Sequence, residues 1–265
     1  MINFPNAKIN LGLHVLRKRN DGFHDIETAF YPVPLHDSLE ILQISGRKGS
    51  FRQYGLRIGG GKNLCQKAYD LLKEKYDIAP VDMYLLKNIP AGAGLGGGSS
   101  DAAHTLIMLN EMFNLDISSA ELEILAAQLG SDCPFFIRNL PVLAQGRGEK
   151  FTPIKPGPGG KFIIVVKPEI HISTPEAYAM VKPDLGRASL RDILEKPVEQ
   201  WKDVLLNDFE TPVFKKYPAI GQIKQKMYED GALYASMSGS GSAVFGIFPH
   251  AVAPSYEHVV LRAYI

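Results

Sequence analysis

Residues 90–101 read PAGAGLGGGSSD, and this glycine-rich segment constrains the fold more than any other stretch of the chain. Glycine adopts positive φ and has no Cβ, so successive backbone N–H groups can converge on one bound group. A strand-like run, VDMYLLKNI (81–89), precedes the segment, and apolar residues at helical spacing, DAAHTLIMLNEMF (101–113), follow it. Unpaired N–H groups and the dipole at a helix N-terminus both favour anions. The order strand, glycine loop, helix therefore predicts a phosphate-binding site.

The start of the helix after this segment has its own signal. Ser99, Ser100 and Asp101 are all good N-caps, so we expect the helix to begin beside them. A flexible linker is the structural alternative for a glycine-rich stretch. Linkers are rarely placed between a buried strand and an alanine-rich helix, so a phosphate-binding loop is the better interpretation.

The segment departs from three well-known phosphate loops. The Walker pattern needs Lys directly before the final Ser or Thr, and Gly98 occupies that position. The dinucleotide pattern GxGxxG matches at Gly92, Gly94 and Gly97, but it requires a second parallel strand that carries an acidic residue roughly 20 positions on. Residues 118–130 predict a second helix instead. The HRD and DFG sequences of protein kinases are absent from the chain.

The charge balance argues against polyanionic partners. The chain has 29 Lys and Arg residues against 28 Asp and Glu, so it has no overall field for nucleic acid or a membrane surface. No apolar run approaches the roughly 18 residues of a membrane span, and MINFPNAKIN lacks the pattern of a leader. Two cysteines, Cys65 and Cys133, indicate a reducing compartment. We therefore expect a cytoplasmic protein, a monomer or weak homodimer, that binds neither nucleic acid nor membrane.

Strand and helix patterns are mixed along the chain without regular βαβ alternation, which predicts an α+β fold in two lobes. Strands are expected at 7–15, 27–31, 38–44, 81–89, 142–145, 149–154, 162–166, 233–237 and 243–248. Helices are expected at 64–76 after the N-cap Asn63, at 101–113, at 118–130 with a Ser118–Glu121 capping box, from Thr174, and at 189–195, 199–207 and 218–229. The Pro- and Gly-rich stretch 155–161 predicts the boundary between lobes 1–156 and 157–265.

A few side chains outside the glycine-rich segment are candidates for chemistry. Lys8 and Asn10 share one face of the first strand, because side chains alternate along a strand. On this pattern alone, contact with solvent is the better explanation for Lys8. Asp132 follows the glycine that ends a predicted helix, where capping of the next turn is the commoner explanation. Cys133 lies beside that carboxylate, is poorly placed to ionise, and is interpreted as a packed small residue.

Three segments together resemble a known family. They are NAKINLGLHVLRKRNDGFHDIETAF (6–30), PAGAGLGGGSSDAA (90–103) and SMSGSGSAVFGIF (236–248). They resemble the three motifs of the galactokinase, homoserine kinase, mevalonate kinase and phosphomevalonate kinase (GHMP) superfamily. Within it, the PxAKINLxLxV…DGYH pattern of the first motif is similar to that of the 4-diphosphocytidyl-2-C-methyl-D-erythritol kinases. This resemblance implies a two-lobed GHMP-kinase fold, with an N-terminal ribosomal-protein-S5-domain-2-like lobe that binds ATP and a C-terminal ferredoxin-like lobe that completes the substrate site.

The resemblance also implies an activity and the residues that carry it. The expected reaction is ATP- and Mg²⁺-dependent phosphorylation of the 2-hydroxyl of 4-diphosphocytidyl-2-C-methyl-D-erythritol, in non-mevalonate (MEP) isoprenoid biosynthesis. Asp132 would accept the hydroxyl proton, and Lys8 would orient Asp132 and neutralise charge on the transferred group. The implied ATP-binding residues are Pro90, Ala91, Gly92, Ala93, Gly94, Leu95, Gly96, Gly97, Gly98, Ser99, Ser100, Asn63 and Lys87, with Ser99 or Ser100 contacting Mg²⁺. The implied substrate-binding residues are Asn10, Phe23, His24, Thr174, Tyr178, Gly239, Ser240 and Gly241.

Two departures from the family pattern affect these expectations. The cytosine ring is expected to lie between Phe23 and Tyr178, with His24 making polar contacts to its edge. Phe23 stands where the family usually has Tyr, which keeps a stacking ring and loses a hydroxyl. After Phe248 the family carries a helix and a longer tail, so no functional residue is predicted in the shorter stretch that follows here.

Three other functions fit parts of the pattern. Another GHMP-type kinase, for homoserine or mevalonate, would not explain the aromatic residues of DGFH and STPEAY. A non-catalytic nucleotide-binding regulator on the same fold would be expected to lack Lys8 or Asp132, and both are present. A nicotinamide dehydrogenase requires the second parallel strand that the sequence does not predict.

Overall fold

The computed structural model describes residues 1–59, 61–155 and 157–265. The strands in chain order are β1 (Ile2–Asn3), β2 (Asn6–Lys18), β3 (His24–His36), β4 (Ser38–Gln43), β5 (Phe51–Gly55), β6 (Val81–Lys87), β7 (Val142–Gly146), β8 (Lys150–Pro153), β9 (Phe162–Val166), β10 (Tyr234–Met237), β11 (Val244–Phe248) and β12 (Val259–Tyr264). The helices are α1 (Leu64–Tyr76), α2 (Gly97–Met112), α3 (Ser119–Ala127), α4 (Phe135–Arg138), α5 (Thr174–Met180), α6 (Leu190–Leu194), α7 (Glu210–Lys216) and α8 (Pro218–Glu229), with a 3-10 turn at Val198–Gln200.

The chain forms two compact units. The first comprises residues 1–7, 35–91 and 96–140. Its sheet has the order β1-β4-β6-β5, in which β5 and β6 pair in parallel and the other neighbours pair antiparallel. Helices α1, α2 and α3 share an apolar core with β4 and β6, which contains Ile41, Leu72, Met83, Leu85, Leu106 and Leu125. This packing fixes β6 and α2, the two elements that flank the glycine-rich segment in sequence.

The second unit comprises residues 8–34, 92–95 and 141–265. One of its sheets has the order β2-β3-β7-β8, and the other has the order β10-β11-β9-β12 with antiparallel pairing throughout. The two sheets contribute to one apolar core, which contains Leu13, Val15, Ile26, Ile164, Val166, Phe209, Met237 and Phe248. The mixed architecture of the two units confirms the predicted α+β fold.

The last four strands agree with the expected ferredoxin-like lobe. Helices α5–α8 separate β9 from β10, β11 follows directly, and β9 lies between β11 and β12 in the sheet. Residues 249–258, all of which the structure describes, contain no helix, as the short sequence after Phe248 predicts. The last strand, β12, was not predicted; it completes the sheet by pairing with β9.

Local capping signals placed two helices correctly. Asn63 Oδ1 accepts a hydrogen bond from the Cys65 amide at 2.8 Å, and Gln66 Oε1 accepts one from the Asn63 amide at 3.2 Å. This capping box starts α1 at the predicted residue. The predicted Ser118–Glu121 box is also present at the start of α3. Helix α2, the longest described helix at 16 residues, is too short for a membrane span, and none of the other described helices offers the length and apolarity for one.

Three predicted features of secondary structure are wrong. Helix α2 begins at Gly97 rather than beside Ser99–Asp101, because Gly96 is the N-cap with φ 71° and no side chain. The predicted helix 199–207 is a 3-10 turn followed by non-helical turns, which the indole N–H of Trp201 stabilises by donating to the Lys196 carbonyl at 2.8 Å. Helix α7 was missed because it contains Pro212, which is tolerated there in the first turn, where no intrahelical N–H bond is needed.

The first strand, β2, differs from the predicted half-buried strand. Alternation of Lys8 and Asn10 with Ile9 predicted one face in solvent, yet every residue from Asn6 to Val15 is buried. Main chain of the glycine-rich segment covers the polar face, since the Lys8 amide donates to the Leu95 carbonyl at 2.9 Å. The solvent-facing interpretation of Lys8 is therefore wrong.

The two compact units do not follow a single sequence boundary. The predicted boundary falls on Pro156, which lies outside the described residues. The second unit includes β2 and most of β3 from the N-terminal region, because β3 pairs with β7 over five residue positions from Ile26 to Phe30. The division into 1–156 and 157–265 remains a prediction about the roles of the two segments.

Candidate active site

The glycine-rich segment adopts the conformation that its composition predicts. Gly92, Gly94 and Gly96 have φ values of 62°, 78° and 71°, a region that favours glycine. A Cβ on Gly94 would overlap the carbonyl oxygen of Ser238, so only glycine fits that position. Residues 92–95 belong to the second unit, and residues 96–100 belong to the first.

The N-terminus of α2 has the features of an anion site. The first intrahelical bond of α2 runs from the Ser100 amide to the Gly96 carbonyl at 2.9 Å, so the amides of Gly97, Gly98 and Ser99 precede it. No acidic residue lies in the first turn, and no side chain caps the helix. These N–H groups and the helix dipole favour an anion at this end.

The two candidate hydroxyl groups differ in their surroundings. Ser100 is buried, and its Oγ has no hydrogen-bond partner among the described residues. The Ser99 hydroxyl bonds the Cys133 thiol, whose pKa is raised to about 12, chiefly by burial. Cys133 is therefore a protonated packing residue, as the sequence predicted, and Ser100 is the hydroxyl left with unused bonding capacity.

Lys8 lies in a network of oxygen acceptors within the second unit. Its ammonium donates to Asn10 Oδ1 at 2.6 Å and to the Gly94 carbonyl at 3.1 Å, and it lies 4.8 Å from the centre of the Phe30 ring. Ser238 Oγ accepts from the Asn10 amide at 3.2 Å and donates to the Gly94 carbonyl at 2.7 Å. We refer to Lys8, Asn10 and Ser238 as the Lys8 cluster. The sequence identified Lys8 and Asn10 and missed Ser238, whose position as the first residue of the SGSGS turn was the available signal.

Asp132 lies in the first unit, before α4, and its side chain is half-buried. The N-cap of α4 is Pro134, which makes no side-chain cap bond. Capping of this turn by Asp132 therefore stays an alternative to its catalytic role. Since Lys8 and Asp132 belong to different units, their catalytic pairing stays a prediction.

The structure brings the predicted substrate-binding residues of the second unit into two contacts. The rings of His24 and Tyr178 stack with centroids 4.7 Å apart at an interplanar angle of 25°. Thr174 Oγ1 and Ser240 Oγ are 3.4 Å apart. Phe23 is 51% exposed, and the Arg147 guanidinium lies 5.1 Å from the centre of its ring. His24 therefore lies against the Tyr178 ring, and the placement of cytosine between Phe23 and Tyr178 stays a prediction.

The turn after β10 is held by an asparagine that sequence analysis missed. Asn207 Nδ2 donates to the carbonyl groups of Met237 and Gly239 at 2.8 and 2.9 Å. Gly239 and Gly241 have φ values of 56° and 92°. A single buried Asn outside any motif carries no signal in one sequence, so this role could not be predicted.

Lys87 was expected to bind ATP, and the structure places it in the core of the first unit. It is 1% exposed, and its ammonium pairs with Asp37 and, at 3.0 Å, with Asp101 Oδ2. Asn63, the other residue outside the loop assigned to ATP, uses its side-chain oxygen to cap α1. Capping uses the side-chain oxygen and the backbone N–H of Asn63. The binding of ATP by Asn63 stays a prediction.

Comparison with known proteins extends the resemblance to the whole chain. The GHMP kinases N terminal domain matches residues 63–139, which include the entire glycine-rich segment, and the GHMP kinases C terminal domain matches residues 189–261. A 4-diphosphocytidyl-2-C-methyl-D-erythritol kinase of Bacteroides thetaiotaomicron is 51% identical over 262 residues, covering 97% of this chain and 96% of the relative. The protein of that name from Cytophaga hutchinsonii is 54% identical, covering 94% and 92%.

A solved structure agrees with these sequence matches. The crystal structure of a 4-(cytidine 5'-diphospho)-2C-methyl-D-erythritol kinase superimposes with a TM-score of 0.77 at 34% identity. The match covers 93% of this chain and 90% of that one. Fold and sequence therefore point to the same group of enzymes.

Proposed function

The chain belongs to the 4-diphosphocytidyl-2-C-methyl-D-erythritol kinase family of GHMP kinases, and we propose that it transfers the γ-phosphoryl group of ATP to the 2-hydroxyl of 4-diphosphocytidyl-2-C-methyl-D-erythritol. The reaction belongs to non-mevalonate (MEP) isoprenoid precursor biosynthesis. One observation carries this proposal, namely 51% identity to a relative of that name over 97% of this chain.

The glycine-rich segment is proposed to hold the β- and γ-phosphates of ATP. Phosphoryl transfer passes through a loose transition state, so the protein contributes mainly alignment and stabilisation of charge. The amides of Gly97 and Gly98 at the start of α2 are suited to both, because they are fixed donors that need no reorganisation. The positive φ of Gly92, Gly94 and Gly96 supports the same role.

Asp132 and Lys8 are proposed as the catalytic residues. Asp132 would accept the proton of the 2-hydroxyl, and Lys8 would orient that carboxylate and stabilise charge on the transferred group. The burial of Lys8 supports its assignment, since an ammonium shielded from water acts more strongly on nearby charge. Asn10 and Gly94 support it further, because their oxygens orient the ammonium.

The residues at the start of α2 fit a nucleotide-bound Mg²⁺. The Ser100 hydroxyl is buried and has no partner among the described residues, and hydroxyl oxygen is a ligand that Mg²⁺ accepts. We therefore propose Ser100 as the contact, with Ser99 as the alternative. When bound with ATP, Mg²⁺ supplies positive charge that balances the phosphates.

The aromatic residues of the second unit are proposed to recognise the cytidyl group. Tyr178 offers a ring whose orientation is fixed by an edge contact with Phe209, with centroids 4.9 Å apart. His24 and Phe23 supply a polar edge and a second exposed ring. Thr174 and Ser240 place two hydroxyl groups together, and polar contacts that a bound base would bury are the means by which a site distinguishes cytosine from uracil. Asn10, Gly239 and Gly241 would complete this substrate site.

The remaining expectations stay part of the proposal. Segment 1–156 would carry ATP and the catalytic residues, and segment 157–265 would complete the substrate site. We propose a cytoplasmic enzyme that acts as a monomer or weak homodimer and binds neither nucleic acid nor membrane.

The test is a direct assay of the purified protein with ATP, Mg²⁺ and the cytidyl substrate. Phosphorus NMR should show a new phosphomonoester on the methylerythritol, with ADP formed in equal amount. Homoserine and mevalonate serve as comparison substrates. Turnover of either of these without turnover of the cytidyl substrate would contradict the proposal.

A further inference from the structure

Three buried charged side chains meet in the core of the first unit. Lys87, Asp37 and Asp101 are each at most 1% exposed. The Lys87 ammonium contacts one carboxylate oxygen of Asp37 and lies 3.0 Å from Asp101 Oδ2. We refer to these residues as the Lys87 triad. Burial of charge is unfavourable unless the charges are paired, so such a group needs an explanation.

One end of the glycine-rich segment is attached to this triad through Asp37. The second oxygen of Asp37 accepts hydrogen bonds from the amides of Asn88 at 2.6 Å and Ile89 at 2.8 Å. These two residues come directly before Pro90, where the segment begins. Asp37 therefore fixes the direction in which the chain leaves β6.

The other end is attached through Asp101 and Gly97. Asp101 lies in the second turn of α2, and its carboxylate receives the Lys87 ammonium. A Cβ on Gly97 would lie 2.7 Å from Lys87 Nζ and 2.7 Å from Ile89 Cγ2, so the first residue of α2 packs directly on the triad. Lys87, at the end of β6, thus connects the strand before the segment with helix α2, which begins within the segment.

We propose that Lys87, Asp37 and Asp101 are positioning residues that hold both ends of the glycine-rich segment, so that the amides at the start of α2 are preorganised for the phosphates of a nucleoside triphosphate. This inference rests on the proposed binding of ATP by that segment. The triad itself does not touch the nucleotide in this account; it acts through the backbone of residues 88–89 and 97–101.

The alternative is that Lys87 leaves the triad and contacts a phosphate directly. The two possibilities predict opposite effects on nucleotide binding when the carboxylate of Asp37 is replaced by an amide. If the triad positions the loop, Asp37→Asn removes charge pairing and weakens nucleotide binding. If Lys87 itself binds phosphate, the same substitution frees the ammonium and leaves binding unchanged or makes it tighter.

The experiment measures the dissociation constant of a fluorescent ATP analogue, together with KM for the cytidyl substrate, in Asp37→Asn, Asp101→Asn, Lys87→Met and the Lys87→Met/Asp37→Asn double variant. Asp82→Asn is the matched control. Asp82 is also a buried aspartate of the first unit, at the opposite end of β6, where it accepts from the Ser50 amide at 2.9 Å. Thermal unfolding of each variant checks that it is folded.

We expect Asp37→Asn and Lys87→Met each to weaken the binding of the ATP analogue about tenfold, and Asp101→Asn about threefold, with KM for the cytidyl substrate within about twofold. The double variant should bind about as weakly as Lys87→Met alone, because the residues act as one unit. Asp82→Asn should lower thermal stability without a change in nucleotide affinity.

Several results would overturn the inference. Unchanged or tighter binding in Asp37→Asn would assign Lys87 to direct contact with phosphate. Equal weakening in Asp82→Asn would mean that the triad contributes only to general stability. If Lys87→Met does not fold, Asp37→Asn and Asp101→Asn against Asp82→Asn decide the matter. A wild-type protein that binds no ATP analogue would contradict the proposed function as well, whereas equal binding in all folded variants contradicts this inference alone.

Discussion

The Lys8 cluster and the Lys87 triad hold two parts of the same glycine-rich segment in different ways. Lys8 and Lys87 are 3% and 1% exposed, so burial alone does not distinguish them. Lys87 is paired with two carboxylates of its own unit. Within its unit, Lys8 is bonded to an amide oxygen and a carbonyl oxygen. Lys87 is thus paired inside the core next to α2, whereas Lys8 donates directly to the main chain of the glycine-rich segment at Gly94, so the two lysines hold the segment through different contacts.

The largest effect that sharpens this comparison is expected at Asp132. Its carboxylate is assigned to proton transfer, whereas that of Asp37 is assigned to structure. Asp132→Asn should lower kcat at least about 100-fold, the scale of a lost general base, and leave the dissociation constant of ATP nearly unchanged. Steady-state kinetics and nucleotide titration measure the two quantities. Near-normal turnover in this variant would remove the catalytic assignment.

Two glycines of the segment should respond in opposite ways to alanine. Gly94 has φ 78°, and a Cβ there would overlap the Ser238 carbonyl, so Gly94→Ala should reduce the free energy of unfolding by about 2 kcal/mol. Gly98 lies within α2, and its Cβ would meet Leu64 at an ordinary distance of 3.6 Å. Gly98→Ala should therefore raise stability by up to about 1 kcal/mol, as helix propensity predicts. Chemical denaturation measures both free energies of unfolding. Equal losses of stability in the two variants would contradict the different backbone conformations described for Gly94 and Gly98.

Recognition of the cytidyl group should be lost separately from ATP binding. Tyr178→Ala removes the ring that His24 and Phe209 contact, and stacking on a base contributes roughly 1–3 kcal/mol. KM for the cytidyl substrate should rise about tenfold, with KM for ATP unchanged. Tyr54→Ala is a suitable control, since Tyr54 is an exposed ring on β5 of the first unit. An equal rise in both KM values would argue against this pocket.

The smallest expected effect is a pH dependence of stability that comes from the Lys87 triad. Burial raises the pKa of Asp101 to about 7, against the opposing effect of Lys87 and with support from Asp37. The folded state therefore binds this proton more tightly than the unfolded chain, and the associated stability is lost as pH rises toward 7. Between pH 5 and 7, the free energy of unfolding should fall more in the wild type than in Asp101→Asn, because only the wild type loses this proton in that range. Parallel pH profiles would contradict the buried state of this carboxyl group.

The sequence predicted those features that depend on neighbouring residues. The N-cap Asn63 directly precedes α1 and placed its start correctly, and in the structure Gln66 completes a capping box with it. The positive φ values of the glycine-rich segment likewise follow from composition. The burial of Lys8 could not be predicted, because the groups that cover it come from residues 94 and 95, more than eighty positions away.

Contacts between distant residues are what the sequence could not show about the site. Lys87 was expected to bind ATP, which stays a prediction, and its ion pair with Asp37 joins residues 50 positions apart. The Thr174–Ser240 contact joins residues 66 positions apart. Similarly, the start of α2 was misplaced because Ser99 and Ser100 are strong N-caps in general, whereas the helix begins four residues before residue 101, at Gly97, which packs on Lys87.

The contrast between the two buried lysines is tested most directly by measuring kcat and the ATP dissociation constant for Lys8→Met and Lys87→Met side by side. The account predicts that Lys8→Met lowers kcat about 100-fold or more with ATP affinity close to that of the wild type. It predicts that Lys87→Met weakens ATP binding about tenfold with kcat at saturating ATP within about threefold of the wild type. The same pattern in both variants, or the reverse pattern, would contradict it.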